Sequence, residues 1–122
     1  MKRLTRAEEQ IMLVLWKKGQ AFVKEVLEEL PEPKPAYNTV STVVRILEQK
    51  GFVKHEVFGR SHRYEAIISQ EEYSGSELDK MVTDHFNGSV KQMLSFFVEK
   101  KSMSVKDLDE VLKKLQTKNK KS

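Results

Sequence analysis

The chain of 122 residues carries 22 Lys and Arg against 18 Asp and Glu, a net charge of +4, which suits an acidic partner without requiring one. This length suffices for one domain, or for a small domain with an extension that buries its apolar surface elsewhere. Cysteine is absent, which excludes disulfides, thiolate metal sites and cysteine nucleophiles.

The sequence also bears on location. The longest uninterrupted apolar run, Ile11–Trp16, has six residues, far fewer than the ~20 of a membrane helix. The opening "MKRLTRAEEQ" holds no signal-like apolar segment. We therefore expect a soluble, cytoplasmic protein without membrane insertion.

Two helices and a proline turn are predicted at the start of the chain. Thr5 and Glu8 stand three residues apart, the spacing of a reciprocal capping box, and Gly19 provides the end of that helix. A second, shorter helix is expected over residues 23–30, where apolar residues repeat at helical spacing. The segment "PEPKP", residues 31–35, forbids helix and predicts a stiff turn.

The stretch "AYNTVSTVVRILEQKG", residues 36–51, predicts a third helix with two unlike faces. At about 100° per residue, one side carries Val40, Val43, Val44 and Leu47, which we assign to packing. The other side carries Asn38, Thr42, Arg45 and Gln49, flanked by Thr39 and Ser41. Short hydrogen-bonding side chains near a helix N-terminus allow close approach to base edges and phosphates in a DNA groove. For this helix taken alone, an ordinary solvated face is the alternative.

Two β-friendly runs, "FVKHEVF" and "HRYEAII", follow and predict a two-stranded hairpin packed on one side. Gly59 permits a tight turn, and Arg60 projects from the tip, where an arginine can enter a minor groove or hold phosphates. Lys54, His62 and Arg63 lie on the strands. The candidate DNA contacts are therefore Tyr37, Asn38, Thr39, Ser41, Thr42, Arg45, Arg60 and Arg63.

The chain after residue 69 is predicted to be helical again, in three segments. The expected capping pairs are Ser69 with Glu72, Ser89 with Gln92 and Ser104 with Asp107. The three apolar stripes cannot all be buried in one short arm, so we expect a two-fold dimer interface. Its candidates are Phe86, Met93, Leu94, Phe97, Leu108 and Leu112, with packing inside one protomer as the alternative for some of them.

Three helices followed directly by a hairpin are typical of a winged helix-turn-helix. The predicted fold class is therefore mainly α with a small β-hairpin. Residues 1–69 form the winged-helix DNA-binding domain, and residues 70–122 form a C-terminal helical dimerisation region.

Four motifs in order resemble the penicillinase-repressor family of winged-helix transcriptional regulators, which includes BlaI, MecI and CopY. They are "LTRAEEQIMLVLW", "NTVSTVVRILEQKG", "GRSHRYEA" and "FNGSVKQMLSFFVEKKSMS". The resemblance implies a homodimeric repressor whose third helix reads a palindromic DNA operator. Asn38, Thr39 and Thr42 then occupy base-contacting positions, and Arg60 the position where the wing meets DNA.

This sequence departs from the family pattern at two points. Family members are often inactivated by cleavage between an Asn and a Phe just before "VEK", and here that pair is Phe96–Phe97. The resemblance thus implies a membrane-bound sensor metalloprotease, or another protease, as a partner, but at a changed site. Copper-responsive relatives carry C-terminal cysteines, which this chain lacks.

No catalytic or metal-binding arrangement is predicted. No phosphate loop, Ser/His/Asp set or carboxylate pair is present, and His85 has no second imidazole at ligand spacing. We therefore expect neither an enzyme nor a cofactor. The alternatives to a repressor are a winged-helix protein–protein interaction module and a small-ligand sensor, for which no convergent polar pocket is apparent.

Overall fold

The computed structural model describes residues 1–120, with side chains described as far as Leu115. The helices are α1 (Arg6–Lys18), α2 (Val23–Glu29), α3 (Tyr37–Gln49), α4 (Gln70–His85), α5 (Val90–Glu99) and α6 (Val105–Lys120), and the strands are β1 (Gln20–Phe22), β2 (Val53–Phe58) and β3 (Ser61–Ala66). The predicted fold class, mainly α with a small β-hairpin, is confirmed, and the hairpin belongs to a small three-stranded antiparallel sheet. The chain divides into two compact units, Met1–Ser76 and Glu77–Ser122. That division lies within α4, whereas the sequence analysis put the domain boundary after residue 69.

Helix α1 begins and ends where local chemistry predicts. The Glu8 N–H donates to the Thr5 hydroxyl at 3.2 Å, and the Thr5 N–H donates to the Glu8 carboxylate at 2.7 Å. Gly19 ends the helix with a φ of 84°, and its N–H donates to the Leu15 carbonyl. The capping box satisfies N–H groups that a helix start otherwise leaves free.

The predicted hairpin is present as β2 and β3, and the sheet contains a third strand, β1, that the sequence did not predict. Its order is β1-β3-β2, with Ala21 of β1 opposite Tyr64 of β3. A three-residue strand is too short to show an alternating pattern. Its pairing is a tertiary event, which places β1 beside β3 at one edge of the sheet with Ala21 fully buried.

The core of the N-terminal unit joins α1, α2, α3 and the sheet. Its largest fully buried side chains are Met12, Leu15, Val26, Val40, Val44, Leu47, Phe52 and Val53. The inward stripe predicted for α3 is thus confirmed, with Val43 partly buried at its edge. Each such side chain contributes roughly 1.5–3 kcal/mol through burial, which sets the orientation of α3.

A lysine side chain ends α2 and shapes the turn that leads to α3. The Lys34 ammonium donates to the carbonyls of Leu27, Glu28 and Leu30 at 3.2, 2.8 and 2.7 Å. These carbonyls belong to the last turn of α2 and its C-cap, where the Leu27 carbonyl also accepts from the Leu30 N–H, and a cation there suits the helix dipole. The turn is therefore tied to α2 before α3 begins.

The C-terminal unit has well-formed caps and many exposed apolar side chains. The Gln92 N–H donates to the Ser89 hydroxyl, and the Asp107 N–H donates to the Ser104 hydroxyl. The exposed large apolar residues of this unit are Leu78, Met81, Val90, Phe96, Val105, Val111, Leu112 and Leu115. Among the helices described, none is long and apolar enough to cross a membrane.

Candidate nucleic-acid interface

Helix α3 presents the polar face that the sequence predicts. Asn38, Thr39, Thr42 and Arg45 are exposed, and Ser41 is half-buried. The Thr42 hydroxyl donates to the Asn38 carbonyl at 2.9 Å, so its methyl group and lone pairs remain for an outside partner. The Arg45 guanidinium makes only long contacts with Ser41, at 3.3 and 3.4 Å, and has no carboxylate partner in the described part of the chain.

The start of α3 is open to an anion. Ala36 occupies the N-cap position and provides no side-chain hydrogen bond, and the first turn carries no acidic residue. A helix start of this kind presents N–H groups and the positive end of the dipole. Tyr37, the first residue of the helix, is about half exposed beside it.

The wing is the β2–β3 hairpin, which turns at Gly59 with a φ of 60°. Arg60 follows at the tip and is exposed. Val57 and Phe58 are exposed as well, contrary to the expected packing along one side, because the strands extend beyond the core near the turn. Phe58 instead contacts Phe22 edge-on, with ring centroids 5.8 Å apart.

The strand register decides which wing residues face α3. His55 pairs with Tyr64, and Val57 pairs with His62, so these four share one face of the sheet because side chains alternate along a strand. That face holds the buried Tyr64 and is the inner one. Arg63 falls on the outer face, where its guanidinium pairs with Glu56 at 3.1 Å and lies 4.6 Å from the centre of the Phe58 ring.

A concave surface of about 420 Å³, here called the wing groove, lies between α3 and the wing. Its lining includes Lys24, Tyr37, Arg45, Arg60, His62 and Tyr64. The structure thus brings four predicted contacts together, namely Tyr37, Ser41, Arg45 and Arg60, and it keeps Arg63 apart from them.

Lys24, His62 and Tyr64 were not among the predicted contacts. Strict alternation along β3 could have separated His62 and Tyr64 from Arg63. Lys24 gave no comparable signal, because its proximity to the wing follows from tertiary packing.

A chain of contacts ties the wing to α3. The His55 Nδ1 lies 2.6 Å from a carboxylate oxygen of Glu48, near the end of α3. Because a carboxylate only accepts, this nitrogen carries the hydrogen. The His62 ring stacks on the His55 ring with centroids 4.3 Å apart and planes 10° from parallel. The position of the His62 ring in the groove is therefore coupled, through His55 and Glu48, to α3.

A helix-turn-helix followed by a wing with a basic tip defines the class of winged-helix DNA-binding proteins. The family model described as the penicillinase repressor matches residues 4–117. The chain therefore belongs to the penicillinase-repressor family, whose members are transcriptional repressors rather than enzymes.

Individual relatives agree with this family over most of the chain. The penicillinase repressor of Bacillus licheniformis is 26% identical over 115 residues, covering 93% of this chain and 90% of the relative. The methicillin resistance regulatory protein MecI of Staphylococcus aureus is 22% identical over 109 residues, covering 88% and 89%. The solution structure of the DNA-binding domain of the repressor BlaI is similar with a TM-score of 0.52 and 30% identity, covering 60% of this chain and 94% of that domain.

The predicted dimer residues differ in exposure within the single chain. Met93 is buried, Leu112 is exposed, and the other four, Phe86, Leu94, Phe97 and Leu108, are half-buried. Phe86 contacts Phe96 with ring centroids 5.7 Å apart. The pair Phe96–Phe97 lies inside α5, with the Phe96 side chain exposed and the Phe97 side chain half-buried.

Proposed function

We propose that the protein represses transcription as a homodimer that binds a palindromic DNA operator, with α3 of each protomer in the major groove. The observation that carries this proposal is the exposed, largely uncharged polar face of α3 beside a basic groove. Asn38, Thr39 and Thr42 contact base edges. Ser41 contacts the DNA beside them and accepts hydrogen bonds from Arg45. Tyr37, Arg45 and Arg60 contact the DNA backbone or the minor groove, whereas Arg63, which pairs with Glu56 on the outer face of the wing, is left out of this contact set. Repression follows because an occupied operator blocks the polymerase.

The dimer part of the proposal rests on the C-terminal unit. Eight of its large apolar side chains are exposed in the single chain, and apolar surface left in water favours association with a partner. A two-fold interface through Leu112, the half-buried Phe86, Leu94, Phe97 and Leu108, and their exposed neighbours covers that surface, whereas Met93 is already buried within the single chain. Two-fold symmetry of the protein then requires a two-fold operator, with half-sites about 10 base pairs apart or a multiple of that spacing.

Selection from random DNA at moderate salt tests the proposal. We expect an enriched palindrome, bound by two chains as counted by sedimentation. A matched selection with Thr42→Ala should lose preference at one position in each half-site. Failure to enrich any palindrome with a folded wild-type chain would favour the alternative, a winged-helix module that contacts another protein through α3.

Proteolysis at Phe96–Phe97 is a further part of the proposal, with a membrane-bound sensor metalloprotease or another protease as the partner. The Phe96 carbonyl accepts from the Lys100 N–H and the Phe97 carbonyl from the Ser102 N–H, both at 3.0 Å. A protease cleft that takes an extended substrate therefore requires the end of α5 to unwind. Mass spectrometry of the protein after antibiotic challenge should show fragments ending at Phe96. An intact chain throughout induction contradicts cleavage at this bond.

A further inference from the structure

The cations of the wing groove lack acidic partners, unlike those on the opposite face of the same sheet. On the outer face, Lys54 pairs with Glu65 at 3.3 Å and Arg63 pairs with Glu56 at 3.1 Å. Within the described residues, Lys24, Arg45 and Arg60 form no ion pair, and no Asp or Glu lines the groove. Like charges that converge without a counterion favour the binding of an anion.

A tyrosine hydroxyl at the floor of the groove adds an observation independent of charge. Tyr64 is only 3% exposed, yet within residues 1–115 its hydroxyl makes no hydrogen bond. Its ring is packed in the core, whereas its hydroxyl is not among the buried unsatisfied atoms of the described residues and so is accessible from the groove that Tyr64 lines. A tyrosine placed in this way has an apolar body and a polar tip that is free to bind a ligand. Burial, followed by the nearby Glu48 carboxylate, raises the pKa of the Tyr64 phenol above its ordinary value. The hydroxyl therefore keeps its proton at neutral pH and remains a donor.

The wall opposite α3 is held in place by the histidine stack. His62 lines the groove and stacks on His55, which hydrogen-bonds to Glu48. The Glu48 carboxylate does not line the groove and is held by His55, although its charge still reaches the Tyr64 hydroxyl. A pre-positioned wall lowers the ordering cost of binding a ligand.

From these observations we propose that the wing groove is an oxyanion site that holds one backbone phosphate of the operator. The Tyr64 hydroxyl donates to this phosphate from the floor, and Lys24, Arg45 and Arg60 surround it with positive charge. This inference rests on the proposed function and goes beyond it by assigning Tyr64, Lys24 and His62 to the interface. DNA is the source of the phosphate because the groove separates the two elements that approach DNA, the recognition helix and the wing.

Removal of single phosphate charges tests the site. Operator duplexes are made with one neutral methylphosphonate at each position in turn, and affinities are measured for the wild type and for Tyr64→Phe. At one position per half-site, the wild type should lose about tenfold in affinity, the ordinary scale for a hydrogen bond to a charged group. Tyr64→Phe should bind the unmodified operator about tenfold more weakly and should lose most of the penalty at that same position only.

Lys54→Gln is the matched control, because it removes a cation from the opposite face of the same sheet. Its phosphate profile should equal that of the wild type. Thermal unfolding of Tyr64→Phe should match the wild type, since the lost hydroxyl makes no hydrogen bond within the described residues. A uniform loss of affinity with no change in the phosphate profile indicates a structural role for Tyr64 and overturns the proposal.

The remaining outcomes separate this inference from the function itself. If the wild type selects no DNA, the proposed function fails before the phosphate scan begins. If the wild type binds its operator and Tyr64→Phe gives an identical profile, only the phosphate site is overturned. Titration of the free protein with inorganic phosphate, monitored by NMR, tests whether the groove instead binds a free phosphate ion. Binding that depends on Tyr64, combined with an unchanged operator profile, would assign the groove to a small anion instead.

Discussion

The N-terminal unit, Met1–Ser76, and the C-terminal unit, Glu77–Ser122, distribute their apolar residues in opposite ways. All the core residues except Val82 and Met93 lie in the N-terminal unit, which packs helices on both the sheet and one another. Within the described residues, the C-terminal unit buries only Val82 and Met93 and leaves eight large apolar side chains exposed. The first unit thus meets the burial requirement of folding within one chain, whereas the second is suited to meeting it with a second copy. Substitutions can therefore test the two units separately. Changes in the N-terminal core should alter the free energy of unfolding, and changes on the C-terminal surface should alter dimer association.

The largest expected effect is on the core of the N-terminal unit. Phe52 is 1% exposed and contacts Tyr73 edge-on. Phe52→Ala should lower the free energy of unfolding by about 3–5 kcal/mol, because it removes a large buried side chain and leaves a cavity. Urea denaturation measures this loss. Phe58→Ala, at an exposed position on the wing, is the control and should cost less than about 1 kcal/mol.

The next effect should fall on association alone. Leu112 is 51% exposed in the single chain, so Leu112→Lys should leave the protomer folded while placing a charge in the proposed interface. We expect the dimer dissociation constant to rise about a hundredfold, or roughly 2.7 kcal/mol, as measured by sedimentation equilibrium. Leu13→Lys changes a leucine of the N-terminal unit that is 47% exposed. Leu13→Lys should leave the dimer dissociation constant unchanged. An equal rise of that constant in both variants would contradict the assignment of association to the C-terminal unit.

A third effect should alter DNA reading without altering either stability or association. Thr42→Ala should relax preference at one base pair by roughly 1–3 kcal/mol. Arg60→Ala should instead weaken binding to all sequences and reduce the salt slope by about one. Operator titrations at several salt concentrations distinguish the two. An Arg60→Ala protein with unchanged affinity and salt dependence would contradict the assignment of the wing to DNA.

The smallest effect concerns pH. Glu8 is 4% exposed and pairs with Lys50 at 2.7 Å. Burial alone would raise the pKa of Glu8. The hydrogen bonds from Lys50 and Thr5, together with the positive charge of Lys50, outweigh burial, so the pKa lies below its ordinary value of 4.5. Because the folded pKa is the lower one, the stabilising contribution is present above the unfolded pKa and is lost as the pH falls through the folded pKa.

Glu8→Gln tests this linkage. Wild-type stability should fall as the pH drops below about 4.5, and the variant should lose less over the same interval. Chemical denaturation at pH 7 and at pH 3 measures the difference. Glu71→Gln, at an exposed position in the first turn of α4, should retain the wild-type pH dependence.

Local features of the fold could be predicted from the sequence, and non-local ones could not. The Thr5–Glu8 capping box and the inward stripe of α3 each depend on residues a turn or so apart, so spacing alone predicts them. Strand β1 was missed because three residues carry no period and depend on β3 for pairing. Likewise, composition predicts a basic wing, but only the register separates Arg63 from His62 and places Tyr64 on the face that lines the groove.

The hydrogen bond between the Thr42 hydroxyl and the Asn38 carbonyl restricts what this side chain can recognise. While that bond stands, Thr42 offers DNA a hydrogen-bond acceptor and a methyl group but no donor. In the major groove these features complement the amino groups of adenine and cytosine and the methyl group of thymine, and they do not complement the acceptor pair of guanine. This hydrogen bond within the helix thus limits which bases Thr42 can recognise at one operator position, and it does so before any DNA is bound.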